Sequence, residues 1–475
     1  MDVILVLLGW LLAWALGVAV LLALRAGSAS LRDAGELAYV VGCGFLVGQF
    51  LLTLEMRLLA LGTIAFGRVA IAGPIAAVTA VALWLAARRY DGSLVDDAAA
   101  AVRTFSAHEL PRWQRMLWFG VLGWLAIRFG LLLLEVLRRP LFPWDAWTQW
   151  ATKARVWYEL RTLAPFVEAP AWLAAPTAHA YLDAAPHYPA TIPLTQVWSA
   201  LALGRWDDAL INLPWWLTGV AFGFALYGLL REAQFDRLGA IIGTWLVLSM
   251  PIVDTHVALA GYADLAMASY LALTAFAWLR FVRTRRGGDL ALALLLAGAC
   301  VLVKNPGKLW LAMLVPGLVA AWFPRRGLRF AAACFAVAAI AALVLSRSGV
   351  TLLGYHLQLD FDMPWGGLTR AYFAFANWHL LFYAALAVAA LGWRQLLSRE
   401  LAPLTLVVAA GLAFLLFGFA FTNARIWVED QSTVNRATLH LAPLIAIWML
   451  MTFRAWARSQ TPVAPSGTAA EATAA

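Results

Sequence analysis

The sequence predicts an all-α, polytopic membrane protein: a bundle of about thirteen transmembrane helices with a long outer loop that carries juxtamembrane helices. The 475-residue chain is 63% hydrophobic and 13% charged, whereas soluble domains are usually closer to half apolar. Apolar runs of about 20 residues recur, and each is long enough to cross the bilayer core at about 1.5 Å per residue. They lack the alternating pattern of about 10 residues that a membrane β-barrel requires.

The predicted spans divide the chain into three parts. Residues 1–113 are expected to form additional N-terminal transmembrane helices, residues 114–454 a larger transmembrane domain with the outer loop 138–207, and residues 455–475 a disordered cytoplasmic tail. Asp2 and the long first apolar run favour a retained helix over a cleaved signal peptide. The expected spans are 3–24, 36–54, 68–88, 114–137, 208–230, 238–256, 264–283, 289–304, 308–324, 328–346, 371–393, 402–421 and 437–454.

Arginine clusters in the connecting segments predict the orientation of the bundle. They recur in every second loop, which is typical of cytoplasmic loops under the positive-inside rule. This alternation requires Thr191–Leu203 to be a short juxtamembrane or re-entrant helix, which fits its length and its Pro193. The N-terminus then lies outside. Much of the net charge of +9 follows from this orientation, so no nucleic-acid partner is expected.

Most polar residues with chemical potential lie on the predicted outer side. The cytoplasmic loops are short, and the longest, Tyr90–Pro111, has neither a G-x-G-x-x-G pattern nor a P-loop that would bind nucleotide phosphates. Chemistry is therefore expected outside, without a soluble nucleotide substrate. The cysteines fall inside spans and are expected to be packing residues rather than disulfide or metal ligands: Cys43, Cys300 and Cys334.

The outer insert begins with a Trp-rich segment that contains two candidate site residues. Asp145 stands where a helix starts beside the membrane surface, and it is expected to act as a general base or to hold an acceptor hydroxyl. Lys153 lies on an adjoining helical face and is a substrate-binding candidate. Helix capping by Asp145 and an interfacial aromatic belt also explain this segment, and both interpretations stay open.

Two further outer turns contain titratable and aromatic candidates. His187 and Tyr188 precede a proline turn that leads back toward the membrane, and they are substrate-binding candidates unless the segment is only a rigid turn. Asp264 opens a span after a Gly-Tyr-Ala turn and is a catalytic candidate, while the preceding Tyr262 is a substrate-binding candidate. Capping of the helix N-terminus is the alternative role for Asp264.

Three cations on the outer side are candidates for binding a phosphate. Lys304 and Lys308 flank a Pro-Gly turn between two spans, against the positive-inside trend. Arg436 stands at the head of the last span. Each is predicted to bind substrate by pairing with a lipid phosphate or diphosphate, although snorkelling of lysine side chains to the interface is the ordinary explanation for the first two.

Other ionisable residues are weaker indications. Those within or near spans are expected to face the bundle and to pair with one another: Glu55, Arg57, Arg128 and Glu135. The histidines have no H-x-x-x-H type of spacing, so a protein-built zinc site is not expected. Asp360 and Asp362 are a slight indication of a divalent cation, and no cofactor is firmly predicted.

In their order along the chain, these motifs resemble the GT-C superfamily of integral-membrane glycosyltransferases, which includes the protein mannosyltransferases and the aminoarabinose lipid A transferases. The resemblance covers roughly residues 116–453. In many relatives an acidic pair stands where Asp145 and Ala146 stand here. The motifs are the loop Asp, a Tyr-Pro turn before a Pro-containing juxtamembrane helix, and the segments Gly261–Asp264, Lys304–Gly307 and Asn435–Pro443.

The resemblance implies transfer of a sugar from a polyprenyl-phosphate donor in the outer leaflet of a bacterial inner membrane, usually with inversion. The acceptor would be a periplasmic glycan, lipid or protein. By correspondence, Asp145 would activate or orient the acceptor hydroxyl and Asp264 would be the second carboxylate. Lys304 and Arg436 would bind the donor phosphate.

Two other classes of function stay open. A transporter or a flippase for lipid-linked sugars would have inverted repeats and broken helices with polar groups near the bilayer midplane. The sequence has no convincing repeat of this kind, and its polar groups concentrate at the outer interface. A non-catalytic assembly partner that keeps the same fold is the third possibility.

Overall fold

The computed structural model describes residues 1–25, 31, 33–90, 92–105, 110–175, 180–345, 350–352, 355–357 and 361–460. About 80% of it is helical, which confirms the all-α class. The strands form two small ribbons. One pairs β1 (Phe166–Val167) with β2 (Tyr181–Leu182) in parallel, and the other pairs β3 (Val350–Leu352) with β4 (Tyr355–Leu357) in antiparallel.

The helices follow the apolar segments of the sequence and end at polar residues or at prolines and glycines. Single turns of π- or 3₁₀-helix lie at Ala146–Trp150, Leu210–Asn212, Arg370–Ala374, Ala376–Trp378 and Asn423–Arg425. The α-helices are α1 (Asp2–Arg25), α2 (Ala34–Leu61), α3 (Arg68–Arg89), α4 (Leu94–Phe105), α5 (Arg112–Arg138), α6 (Ala151–Leu160), α7 (Ala169–Ala174), α8 (Thr191–Leu203), α9 (Leu213–Glu232), α10 (Arg237–Leu248), α11 (Pro251–Ala258), α12 (Asp264–Thr284), α13 (Gly287–Val303), α14 (Gly307–Trp322), α15 (Pro324–Leu345), α16 (Trp365–Thr369), α17 (Leu381–Leu391), α18 (Ala402–Phe421), α19 (Ile426–Glu429), α20 (Val434–Leu439) and α21 (Ala442–Gln460).

Several of these helices have the length and composition of membrane spans. In the described parts of the chain, seven helices meet this standard, and the number reaches eight if α10 and α11 form one broken span. α13 and α14 are apolar but shorter, at 17 and 16 residues. The protein is therefore a helical bundle of membrane type, and the figure of thirteen spans stays a prediction.

Two predicted spans are not continuous helices, and the predicted tail starts too early. The span 238–256 bends by 65° between α10 and α11, where Pro251 cannot donate a helical hydrogen bond. The span 371–393 is interrupted by short turns up to His379, whose φ is 48°, so only Leu381–Leu391 is α-helical.

α21 continues to Gln460, so the prediction of disorder is wrong for residues 455–460. Residues 461–475 lie outside the described residues.

The first helices of the chain lie inside the bundle. In α2, 78% of the apolar window is buried, because small residues let its backbone approach both α1 and α9. A side chain at Gly48 would meet the carbonyl oxygen of Ala13 in α1 at 1.8 Å, and one at Gly42 would meet the carbonyl oxygen of Ala221 in α9 at 2.3 Å. α8, predicted as a short helix, is almost wholly buried beside them. The boundary at residue 113 stays a prediction.

Alternating helix directions gather charged residues at the two ends of the bundle. At one end, Arg280 pairs with Glu232 at 2.9 Å and with Asp289 at 3.1 Å, beside a cavity of about 790 Å³. At the other end lies Asp264, the first residue of α12. The 16 residues that separate Asp264 from Arg280 correspond to about 24 Å of helix. The ends are thus separated by most of a bilayer core.

Candidate functional site

Four segments meet at the end of the bundle where α12 begins. They are the turn before α6 with Asp145, the loop 259–263 that leads into α12, the turn between α13 and α14 with Lys304, and the short helix α20 with Arg436. We call the residues gathered here the Asp264 cluster. Its members are Asp145, His256, Tyr262, Asp264, Lys304, Trp310, Arg436 and His440.

Asp264 is the centre of the cluster. It is fully buried, with 0% of its surface exposed. Its Oδ1 accepts hydrogen bonds from Lys304 Nζ at 2.6 Å and from His440 Nε2 at 2.8 Å, and its Oδ2 accepts one from Arg436 Nε at 3.0 Å. A buried carboxylate needs such donors. The capping explanation alone does not account for these partners, which come from two other segments of the chain.

Arg436 joins the two carboxylates that the sequence singles out. While its Nε donates to Asp264, its Nη2 donates to Asp145 Oδ2 at 2.5 Å, so one planar guanidinium bridges two acids. Its Cζ lies 4.1 Å from the centre of the Tyr262 ring, a cation–π arrangement. Burial disfavours the charge, but both carboxylates outweigh that effect and raise the pKa of Arg436. It therefore stays a cation.

The hydrogen bonds of His440 identify its tautomer. The indole Nε1–H of Trp310 can only donate, and it donates to His440 Nδ1 at 2.8 Å. Nδ1 must then be unprotonated, so the ring proton is on Nε2, from which it is donated to Asp264. Trp310 and His440 are buried, with 1% and 2% exposure. The pair forms a fixed, neutral support for the central carboxylate.

His256 also faces Asp264, but with the opposite tautomer. Its Nδ1 contacts the carbonyl oxygen of Ile252 at 2.8 Å, and since a carbonyl can only accept, Nδ1 carries the proton. Nε2 is therefore an acceptor. It lies 3.8 Å from Asp264 Oδ2 and has no hydrogen-bond partner among the described residues. His256 is only 2% exposed.

The loop before α12 brings Asp145 to the cluster. Gly261 has φ 115°, a conformation that favours glycine, and a methyl group there would lie 2.2 Å from the Ala146 Cβ. Ala146 is fully buried by this contact. The close approach explains why Asp145 is followed by a small residue here, since a second acidic side chain would have no room.

Tyr262 covers the cluster from the same loop. Its ring centre lies 5.6 Å from that of His256, and its other neighbour is the Arg436 guanidinium. Burial raises the pKa of Tyr262, against the opposing effect of Arg436, so its hydroxyl stays protonated. The phenol is thus a neutral group that can donate a hydrogen bond beside two carboxylates.

The structure brings together five of the nine predicted site residues: Asp145, Tyr262, Asp264, Lys304 and Arg436. Lys308 lies four residues after Lys304, exposed on the first turn of α14, and it has no ion pair among the described residues. The cluster thus contains two carboxylates and two cations that neutralise each other, with a free cation close by in sequence.

Lys153 has a structural environment instead. Its side chain is 1% exposed, and its Nζ donates to the carbonyl oxygen of Ala185 at 2.6 Å and lies 3.5 Å from Asp183 Oδ1. Burial lowers the pKa of Lys153, and the charge of Asp183 partly offsets this shift. Burial also raises the pKa of Asp183. The lysine holds the loop 138–207 together and does not face the cluster.

His187 and Tyr188 lie in the turn that leads into α8. The His187 side chain is 85% exposed and is 4.0 Å from Glu168, which fits a solvated turn. The Tyr188 ring packs edge to face on Trp150, with 5.3 Å between ring centres. The turn leading into α8 is therefore an aromatic packing unit in this structure.

The deeper ionisable residues do not pair with one another as predicted. Arg128 pairs with Asp254 of α11, and Glu135 pairs with Arg139 one turn along α5. Arg57 donates to the Thr191 hydroxyl at 2.9 Å and to the Leu302 carbonyl at 3.4 Å. Arg128 and Glu135 are about 40% exposed, so they do not face the bundle interior, and the partners of Arg57 and Arg128 come from distant segments that the sequence pattern could not identify.

The acidic loop considered for a divalent cation is only partly described. Asp360 lies outside the described residues, and Asp362 pairs with Arg425 at 3.6 Å. Among the described residues, no group of three or more His, Cys, Asp and Glu side chains could hold a metal ion.

Sequence reasoning missed His256 and Trp310, and it included His440 only as part of the segment Asn435–Pro443. His256 lies in a segment that reads as an apolar span, and the role of its two nitrogens depends on partners in the folded chain. A possible signal was its position eight residues before Asp264, on the same outer connection. No family model, curated protein or solved structure matches the chain.

Proposed function

We propose that the chain is a GT-C-like membrane glycosyltransferase. It would transfer a sugar from a polyprenyl-phosphate donor to a glycan, lipid or protein acceptor at the outer face of a bacterial plasma membrane. The supporting observation is the meeting of Asp145, Asp264, Lys304 and Arg436 from four segments of the chain within direct hydrogen-bond distance.

The residue types of the cluster suit this chemistry. In an inverting transfer, the acceptor oxygen forms a bond to the anomeric carbon while the bond from that carbon to the donor phosphate breaks. The phosphate leaves with the electron pair, and cations aimed at it stabilise the developing charge. Lys304 and Arg436 would supply that charge, while carboxylate oxygens of Asp145 and Asp264 would accept hydrogen bonds from substrate hydroxyls.

The surroundings of the cluster suit a donor that arrives through the membrane. Trp144 and Trp147, on either side of Asp145, are 68% and 49% exposed, and exposed Trp residues concentrate at the membrane interface. α5, which leads to this turn, has only 22% of its apolar window buried and faces outward. Asp145 would therefore stand at the level of lipid headgroups, beside a lipid-facing helix.

The charge balance of the cluster adds a requirement. Two carboxylates and two cations sum to zero, so a bound phosphate would have to compete with Asp145 and Asp264 for Lys304 and Arg436. Lys308, exposed on the first turn of α14, offers a further cation that such a phosphate could recruit. Binding of the donor would thus loosen the carboxylates for the acceptor.

The test compares Asp145→Asn with the native protein in membranes from a strain that lacks the gene. A panel of mannose, glucose, arabinose and N-acetylglucosamine, each on farnesyl phosphate, serves as donor, and release of farnesyl phosphate is measured by mass spectrometry. We expect release by the native protein and a loss of about 100-fold or more in the variant. Glu168→Gln, an exposed acid of the same outer insert, is the matched control and should keep native activity.

The outcome separates the functions. No donor cleavage by the native protein, or equal cleavage by native protein and Asp145→Asn, would contradict the proposal. The 65° bend between α10 and α11 favours a transporter or flippase, because broken helices line transport sites. Vesicles containing the native protein that translocate a fluorescent polyprenyl-phosphate sugar without cleaving it would support that alternative.

A further inference from the structure

The proposed sugar transfer needs a group that takes the proton of the acceptor, and the hydrogen bonds of the Asp264 cluster restrict the choice. Asp264 already accepts from Lys304, Arg436 and His440. His440 accepts from Trp310 on one nitrogen and donates from the other. Protonation of His440 would break the hydrogen bond from Trp310, and protonation of Asp264 would remove the charge that its three donors stabilise.

Asp145 is less suited to this role than its position in the sequence suggests. Its Oδ2 is held by Arg436 Nη2 at 2.5 Å, and protonation of the carboxyl would remove the charge that this contact depends on. A proton on Asp145 would also leave Arg436 with a single carboxylate partner in a largely buried position. Asp145 is therefore better placed to anchor Arg436 and to orient the acceptor.

His256 Nε2 differs from all of these atoms. It carries a lone pair, since the ring proton is held on Nδ1 by the Ile252 carbonyl. It has no hydrogen-bond partner among the described residues, and it is directed at Asp264 Oδ2 over 3.8 Å. Two hydrogen-bond acceptor atoms thus face each other. A substrate hydroxyl placed beside both would satisfy this arrangement by donating a hydrogen bond.

The geometry points to His256 as the catalytic base of the proposed transfer: its Nε2 accepts the proton of the acceptor hydroxyl. The acceptor oxygen forms its bond to the anomeric carbon as the proton passes to Nε2, and the polyprenyl phosphate leaves with the electrons of the broken bond. The resulting imidazolium faces the Asp264 carboxylate, which stabilises it. The proton then passes to water when the product leaves.

The acceptor needs access to this buried nitrogen. The Tyr262 ring lies between His256 and the Arg436 guanidinium, with 5.6 Å between the two ring centres and 4.1 Å to Arg436 Cζ. It belongs to the loop whose Gly261 has a positive φ. A shift of Tyr262 away from Arg436 would open a path to Nε2, and a donor phosphate that draws Arg436 away would remove the contact that holds the ring.

The pH dependence of the transfer tests this role. An imidazole base is inactive once protonated, so the native rate should fall as the pH is lowered through the range in which His256 gains its proton. His256→Asn and His256→Ala should lower farnesyl phosphate release by about 100-fold or more and remove that acid limb, and added imidazole should partly restore His256→Ala. The charged or titratable groups that face His256 are Asp264, Arg436, Lys304 and Tyr262, with Asp254 on its own helix.

Controls distinguish a chemical role from a structural one. His187→Asn, at the exposed turn outside the cluster, should stay within about twofold of the native rate with the acid limb unchanged. Farnesyl phosphate binding, measured by calorimetry in detergent, should be unchanged in both His256 variants. If both variants lose binding, the assignment is overturned, since His256 would then support the fold rather than the proton transfer.

The assignment rests on the proposed function but can fail separately from it. If the native protein cleaves no donor of the panel, the glycosyltransferase proposal fails and this role with it. If the native protein cleaves a donor while His256→Asn and His256→Ala keep its rate or its acid limb, only the role of His256 is wrong. An acid limb that persists in His256→Asn but disappears in Asp145→Asn would return the base to the carboxylate.

Discussion

A double-mutant cycle between Lys304 and Asp264 tests the central contact of the cluster. The substitutions are Lys304→Met, Asp264→Asn and the two combined. Each single substitution leaves an uncompensated charge in a buried position. The loss of one partner of a buried ion pair lowers the free energy of unfolding by about 3–5 kcal/mol. The combined variant removes both charges, so it should be less destabilised than the sum of the single changes.

The expected coupling follows from the distance and the burial of the pair. The two charges are 2.6 Å apart, and the side chains of Lys304 and Asp264 are 12% and 0% exposed. Opposite charges about 4 Å apart interact by about 4 kcal/mol at the effective dielectric of a protein, and desolvation offsets part of this. We expect a coupling of about 2–3 kcal/mol. The exposed Glu135–Arg139 pair, with side chains 41% and 42% exposed, should give about 0.3–0.5 kcal/mol.

Unfolding by sodium dodecyl sulfate in mixed micelles provides the free energies. The 25 tryptophans of the chain give a fluorescence signal for the transition, and size-exclusion chromatography verifies that each variant is folded at the start. A coupling for Lys304 and Asp264 no larger than that of the control pair would refute the reasoning. It would mean that the two residues are not held together in the membrane-embedded protein, and the convergence behind the proposed function would be lost.

Four further outcomes are expected. Arg436→Lys keeps the charge but cannot bridge both carboxylates, so it should lower stability in the same unfolding assay by about 1.5–3 kcal/mol. His440→Leu should cost a similar amount because Asp264 loses a donor, while His440→Gln, which can donate, should cost clearly less. Gly261→Ala should lower the free energy of unfolding by about 1–3 kcal/mol, because residue 261 has a positive φ. It should also lower the rate of donor cleavage, because it would move Asp145. Lys153→Met should increase proteolysis of the loop 138–207 and leave the KM for the donor unchanged; a raised KM with native protease resistance would restore Lys153 as a substrate contact.

The helical character of the chain could be predicted because apolar runs are long and local. α1, α3 and α12 begin and end within a few residues of their predicted bounds, since polar and charged residues mark their ends. The broken spans were not predictable from composition. α10 and α11 are both apolar, and hydropathy does not distinguish a straight helix from one that bends by 65° at Pro251.

The site was predicted in part for a similar reason. Asp264, Lys304 and Arg436 are charged residues at the ends of apolar runs, so helix alternation alone places them at one end of the bundle. Lys153 is also a charged residue of the loop 138–207, but its side chain turns inward to Asp183. The sequence could not predict this, because side-chain spacing on a helix does not show which face is covered by other elements. His256 carries no charge signal, and its significance depends on an acceptor atom without a partner, which only a folded structure can identify.

The charge balance of the Asp264 cluster links binding to chemistry. In the structure, both cations are fully engaged by carboxylates, and one of them, Arg436, also holds the Tyr262 ring over His256. A phosphate that attracts Arg436 would weaken three contacts at once: those to Asp145, Asp264 and Tyr262. The acceptor would then gain a free carboxylate and a path to His256 Nε2 only after the donor has bound. For the proposed transfer, we therefore expect ordered binding with the donor first. Its signature would be product inhibition by polyprenyl phosphate that is competitive with the donor and non-competitive with the acceptor.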